Sequence, residues 1–206
     1  KPQAVNPCQL SVRTHERQIH ALDMRKCGRL LASGGNDGTV KILDSITGQV
    51  VRTLLKHSVA VTQVKFSRNG SVVAAGLADK TVRVWNTETG ELLNTMKAHT
   101  GRVESVCFAG NSTIVSCTSV GHIICWDTKT GRELASVQLS AGTSPSSAMH
   151  VDVCPLSKRR EIIISFDLRL WCWCPLGKGT VSGSSEKDML NINDEDFTKP
   201  RGGFKV

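Results

Sequence analysis

Three histidines, His15, His57 and His99, stand 42 residues apart, and two further sets of marks keep the same beat. Thr47-Gly48, Thr89-Gly90 and Thr130-Gly131 are one set. Leu43-Asp44, Trp85-Asn86 and Trp126-Asp127 are the other, each spaced by 42 and then 41. A recurring unit of this length constrains the fold more than any single motif, because each copy must form the same small piece and bury its apolar face against its neighbours. The pattern inside the unit says what the piece is. Four, seven and nine residues after each His come Ile19, Leu22, Met24; Val61, Val64, Phe66; and Val103, Val106, Phe108. A turn follows, then a β-rich run (Leu30–Ser33, Val72–Ala75, Ile114–Cys117), then an alternating segment ending at Leu43, Trp85 or Trp126, then a last run after the Thr-Gly turn. Short apolar runs separated by turn residues predict four antiparallel strands per unit.

With its His, Trp-Asp and Thr-Gly marks, the chain resembles the WD40-repeat family, whose unit is a four-stranded propeller blade. The resemblance covers roughly residues 8–175 and implies an all-β fold: a WD40-type β-propeller of about four blades, incomplete or part of a larger one. The units are read as 15–56, 57–98, 99–139 and a degenerate 140–176. In the last, Asp167 through Trp173-Cys174 repeats the spacing of Asp37 through Leu43-Asp44, but no His marks its start. Residues 1–14 read as the last strand of a preceding or closing blade, and 177–206 as a flexible or partner-ordered tail. Within a length of 206 residues, this leaves blade edges that need covering.

The resemblance also implies a hydrogen-bonded group in each blade: a His at its start, a Ser or Thr on the second strand, an Asp in the next turn, and the Trp. By position these are His15, Ser33 and Asp37 in the first unit, with Leu43 in the Trp place; His57, Asp79 and Trp85 in the second, with Ala75 in the Ser place; and His99, Ser116 and Trp126 in the third, with Val120 in the Asp place. Asp167 and Trp173 belong to the fourth. Every unit lacks at least one member, so apolar packing between strands is expected to carry more of the stability than these groups. His20, His122 and His150 fall outside the marks and read as surface or locally bonded residues.

A His-Ser-Asp trio invites comparison with a hydrolase triad, but its recurrence at the blade period argues for structure, and no strained Gly-x-Ser-x-Gly turn is present. Enzyme activity is therefore not expected, nor any cofactor or metal. The eight cysteines contain no Cys-x-x-Cys pair and mostly lie in apolar runs, where a thiol behaves as a small hydrophobe. No apolar run reaches the length of a membrane span, so membrane insertion is not expected.

Function is then expected at the rims, through loops held by a rigid scaffold. The residues beside the His and Asp marks are the candidates for partner binding: Arg17, Asn36, Ala78, Lys80, Arg102 and Ser119, with Arg159 and Arg160 in a basic loop of the fourth unit. A second candidate is the segment Met189–Phe197, where Met189, Leu190, Ile192 and Phe197 sit among acids. The reading is a non-enzymatic scaffold subunit that binds other proteins in a larger intracellular complex. The alternative is a propeller that associates with RNA or ribonucleoprotein through its basic body, since 26 Lys and Arg against 18 Asp and Glu leave a net charge of +8.

Overall fold

The computed structural model of the chain describes residues 11–54, 58–139, 149–153, 162–166, 169–173 and 190–191. Among these residues the fold is all β, in four antiparallel sheets of four strands. The first sheet runs β1 (Ile19–Met24), β2 (Leu30–Gly35), β3 (Val40–Asp44), β4 (Val50–Thr53). The second runs β5 (Val61–Phe66), β6 (Val72–Leu77), β7 (Val82–Asn86), β8 (Leu92–Met96). The third runs β9 (Val103–Phe108), β10 (Thr113–Thr118), β11 (His122–Asp127), β12 (Glu133–Gln138). The fourth runs β13 (His150–Val153), β14 (Ile162–Phe166), β15 (Arg169–Trp173), β16 (Leu190–Asn191). Each is a simple meander, because each strand is short and is followed by a turn that returns the chain beside it.

The repeat extends to irregularities. In the first strand of each of the first three sheets one residue is passed over by the ladder: His20, Thr62 and Glu104, again 42 apart. A second skip falls at Val51, Leu93 and Leu134 on the outer strands. Bulges of this kind increase local right-handed twist, and here they twist every blade at the same two places. The Thr-Gly turns share one construction. Gly48, Gly90 and Gly131 have φ of 69–76°, and their amides donate to the carbonyls of Asp44, Asn86 and Asp127. The side chains of those three residues accept the next turn amides, Ile46 and Thr47, Glu88 and Thr89, Lys129 and Thr130. The Asp or Asn after the Trp position is thus a turn-fixing acceptor.

Blades pack inner strand to inner strand, β1 on β5, β5 on β9 and β9 on β13. Three apolar clusters fill the seams. Ala32, Val40, Ile42 and Leu54 of the first blade meet Val61, Val64, Phe66 and Trp85 of the second. Val82, Val84 and Met96 meet Val103, Val106 and Trp126, and Cys117, Ile123 and Cys125 meet Met149, Val151, Ile162 and Ile164. Each strand offers alternate residues to the two seams it separates, which is why these strands read as nearly continuous apolar runs.

Two readings of the chain ends differ from the sequence expectation. Residues 11–14 form no strand, while 8–10 lie outside the described residues. The outer strand of the fourth sheet is instead Leu190–Asn191, paired with β15 at Trp171 and Cys172. It comes from the stretch read as a tail. The apolar pair Met189-Leu190 stands there among charged and Asn residues, too short a signal to read as a strand. The rest of 177–206 lies outside the described residues.

Candidate functional site

The rim of interest is built by two kinds of turn that the blade geometry brings together. The amide of Asn36, in the β2–β3 turn, donates to the Gln18 carbonyl, and that of Ala78, in the β6–β7 turn, donates to the Ala60 carbonyl. Each β2–β3-type turn is therefore tied to the segment that leads into its own blade. In the third blade Gly101 of the approach segment lies against Val120 of the turn: a methyl added at Gly101 would lie 3.0 Å from Val120 Cγ2.

The first blade joins His, Ser and Asp in one polar group, with Leu43 standing in the Trp place. Asp37 accepts from His15 Nδ1 at 3.0 Å, Glu16 N at 2.9 Å, Thr39 N at 3.0 Å and Thr39 Oγ1 at 2.7 Å. His15 Nε2 lies 2.7 Å from Ser33 Oγ. Since Nδ1 donates to the carboxylate, Nε2 accepts the Ser33 hydroxyl proton. Burial pushes the Asp37 carboxyl up, but the hydrogen bonds from Thr39, His15 and the Thr39 and Glu16 amides outweigh it and hold the group well below the usual carboxylate range. Lys41 Nζ ties the same region to the Thr14 carbonyl.

The second blade keeps the carboxylate and changes its company. Asp79 accepts from Thr81 N, Thr81 Oγ1 and Arg83, while His57 lies outside the described residues. Lys80 occupies the turn position held by Gly38 and Gly121 in the neighbouring blades, and it takes their left-handed conformation, φ 69° against 75° and 81°. A side chain there is strained.

The third blade keeps the histidine and lacks the carboxylate. Ser116 Oγ lies 2.6 Å from His99 Nε2 and accepts from Trp126 Nε1 at 2.7 Å. His99 Nδ1, the counterpart of the atom that meets Asp37, has no hydrogen-bond partner among the described residues. Neither does His122 Nδ1. The two rings meet edge-on, with centroids 5.3 Å apart. Burial, with His122 adding a smaller effect, holds the His99 ring down at about 4, and burial lowers His122 as well. The sequence read His122 as a surface or locally bonded residue; its ring is instead half-buried against His99, with Nδ1 unpartnered among the described residues. It stands where Thr39 and Thr81 stand in the other blades, and that register was the signal that could have revealed it. His20 and His150 are exposed.

The candidate partner-binding side chains fall into two groups. Arg17, Asn36, Lys80 and Arg102 are exposed on this rim, and Ser119 and Ala78 are half-buried beside them. Arg102 forms an ion pair with Glu104 at 3.3 Å. Arg159, Arg160, Met189, Ile192, Phe197 and Asp167 lie outside the described residues, and only the backbone of Leu190 and Trp173 is described.

The opposite rim carries a groove of about 570 Å³ between the second and third blades, lined by Asn69, Asn94, Asn111, Leu93 and Lys129 among others. The corresponding place between the first two blades is crossed by Arg25, which lies against Gly70 and pairs with Glu88 at 3.0 Å. The groove's asparagines are spent on structure: Asn111 accepts from Asn69 N, and Asn94 donates to the Thr128 and Lys129 carbonyls. Among the described residues, no group of three His, Cys, Asp or Glu side chains could hold a metal ion. Cys107, Cys117 and Cys125 are buried free thiols, raised by burial, Cys125 to about 12. They are inert packing residues at neutral pH. No helix among the described residues is long and apolar enough to cross a membrane.

Comparison with known proteins follows this geometry. The family model described as WD domain, G-beta repeat matches residues 48–86 and 90–127. The one described as anaphase-promoting complex subunit 4 WD40 domain matches residues 8–61. Protein tipD of Dictyostelium discoideum is 42% identical over 55 residues, which is 27% of this chain and 9% of tipD. The matched stretch thus spans less than a tenth of that relative's length. Among solved structures, the computationally designed Ika4 protein superposes with a TM-score of 0.66 at 27% identity, over 80% of this chain and 95% of Ika4.

Proposed function

Because this chain belongs to the WD40-repeat family, whose repeats act in protein interaction, we propose that it is a non-enzymatic scaffold subunit of a larger intracellular assembly, holding partner proteins on the rim that carries the His and Asp marks. The observation that carries this reading is the division of labour on that rim. The turn backbones are pinned by buried groups, above all His15, Ser33, Asp37 and Thr39, while Arg17, Asn36, Lys80 and Arg102 project into solvent from those same turns. Rigid presentation lowers the ordering cost of binding, and Arg is favoured at interface hot spots. The match over residues 8–61 to a domain named for a subunit of a large complex supports the assembly part of the reading.

The test is comparative affinity capture from native lysate with the wild type, with a rim variant (R17E, K80E, R102E) and with an opposite-rim variant (K129E). The expected result is a set of proteins that the rim variant loses and the opposite-rim variant keeps. Identical sets from all three would reject the rim as the binding surface.

The net charge of +8, together with three exposed cations on one rim, favours RNA as a second class of partner. Binding of this kind releases counterions, so affinity for a single-stranded RNA should fall steeply as salt rises. No measurable affinity, or affinity flat in salt, would dispose of that reading.

A further inference from the structure

The charge exposed on the rim that carries the His and Asp marks is almost all positive. Among its described residues Arg13, Arg17, Lys80, Lys97 and Arg102 are exposed, against one exposed acid, Glu16. The other carboxylates of this rim are spent on the turns. Asp37 is held by His15, Thr39 and the Glu16 amide, and Asp79 by Thr81 and Arg83. In the third blade the repeat puts Val120 where an acid stands in the other two, and that side chain is exposed and uncharged. The opposite rim differs. There the exposed acids Glu88, Glu91 and Glu133 are interleaved with the cations, and Arg25 and Arg29 are already paired with Glu88 and Asp44.

Arg17, Lys80 and Lys97 make no ion pair among the described residues, and Arg102 meets only Glu104, at 3.3 Å. The planar fork of an arginine matches a carboxylate in two parallel hydrogen bonds. Lys80 is presented at a conformational cost, with φ 69° where the neighbouring blades carry glycine, and strain kept at an exposed turn points to a contact made there.

Two anionic partners suit such a field, and the side chains around it favour one. Single-stranded RNA is held by bases stacked on aromatic rings as well as by its phosphates. Among the described residues no Phe or Trp is exposed, Phe66, Trp85 and Trp126 being buried in the seams, and the chain contains no Tyr. The cations also stand singly on the approaches and turns of three successive blades, so their occupant must extend from blade to blade.

We propose that this rim recognises an acidic, extended segment of a partner protein, whose Asp and Glu side chains meet Arg17, Lys80 and Arg102 across the three blades. The proposal rests on the scaffold reading, since it names what partners present to the same rim.

Fluorescence anisotropy of the full chain with labelled decapeptides tests this. One peptide alternates Glu and Gly, its control carries Gln in place of every Glu, and a short oligouridylate supplies equal charge as RNA. The Glu peptide should bind, and the Gln peptide and the RNA should bind more weakly. K80G should weaken the Glu peptide about two- to fivefold, with a urea midpoint that does not fall, so the loss cannot come from unfolding. R17Q and R102Q combined with K80G should weaken it by roughly tenfold or more, the separate sites adding. K129Q, on the opposite rim, should leave it unchanged. A Glu peptide bound no better than the Gln peptide, RNA bound more tightly than the Glu peptide, or affinity untouched by the triple variant or lowered as much by K129Q would each overturn the proposal. Adding the Glu peptide to the affinity capture separates the proposal from the rim reading. Proteins that the rim variant loses should be displaced by the Glu peptide and not by the Gln peptide. If the Glu peptide leaves them in place, the acidic segment is overturned and the rim stands; if every variant captures the same set, both fall.

Discussion

Val120→Asp should stabilise the protein, and the gain should grow as the pH falls. In the first blade Asp37 collects four hydrogen bonds at 2.7–3.0 Å. In the third blade the corresponding carboxylate is absent, and two ring nitrogens, His99 Nδ1 and His122 Nδ1, are buried without a hydrogen-bond partner. An unsatisfied buried donor or acceptor costs about 1–3 kcal/mol, and a hydrogen bond to a charged group returns about 1.5–3 kcal/mol. Val120 is 46% exposed, so its removal costs little. After subtracting the desolvation of the new carboxylate, a gain of roughly 1–2 kcal/mol at pH 7.5 is expected. The pH dependence follows from His99, whose titration is held down from 6.5 to about 4 in the fold. A ring whose folded value is depressed supports the fold fully above its unfolded value, and that support is lost as the pH falls from 6.5 towards 4. At pH 5 the wild type has therefore lost about 2 kcal/mol, at ~1.4 kcal/mol per unit. A carboxylate at position 120 favours the imidazolium and raises the folded value, so the variant avoids most of this loss. Urea unfolding at pH 7.5 and pH 5, with the His99 ring followed by NMR, reads both effects. A midpoint that does not rise at pH 7.5, or an advantage that shrinks at pH 5, would refute the reasoning.

The other predictions use the same three blades. Asp37→Asn should destabilise the protein by about 1–3 kcal/mol at pH 7. The wild-type carboxylate titrates well below its free value of ~3.9, so its contribution is full above that pH and lost as acid carries the solution towards the folded value; the gap between the two proteins should hold down to about pH 4 and narrow progressively below it, as thermal melts would show. Lys80→Gly should stabilise by up to about 1 kcal/mol, because relief of the left-handed strain exceeds the entropy that glycine adds to the unfolded chain, while weakening rim binding if Lys80 contacts a partner. Trp126→Ala should cost about 3–5 kcal/mol, since the indole fills the second seam and satisfies Ser116 Oγ; a urea midpoint that barely moves would mean the seam is not the source of stability.

The legible part of this molecule was whatever the period repeats. Strand order, the turn-fixing Asp44, Asn86 and Asp127, and the seam residues at Val61, Val64 and Phe66 all recur at one spacing, so three copies confirmed one another. The missing carboxylate at Val120 was legible for the same reason. What escaped notice is what breaks the period. His122 stands in a threonine's place, and only the fold shows its ring turned edge-on to His99. Leu190–Asn191 joins the fourth sheet across a long separation, through backbone pairing that needs no apolar pattern to advertise it. Lys80 looks like any charged turn residue until its φ is known. The exposed face of β1 was invisible for the opposite reason: Ile19, Leu22 and Met24 match the buried residues of the other blades, and burial depends on a neighbour that sequence does not display.

The central claim is that a rigid blade array presents one rim to partner proteins. Hydrogen–deuterium exchange of the full chain, with and without a captured partner, tests it most directly. The account predicts protection that gathers in the turns at 36–38, 78–80 and 119–121 and in the approach segments at 15–18 and 100–102. Protection confined to the outer strands β4, β8 and β12, with those turns unchanged, would contradict it.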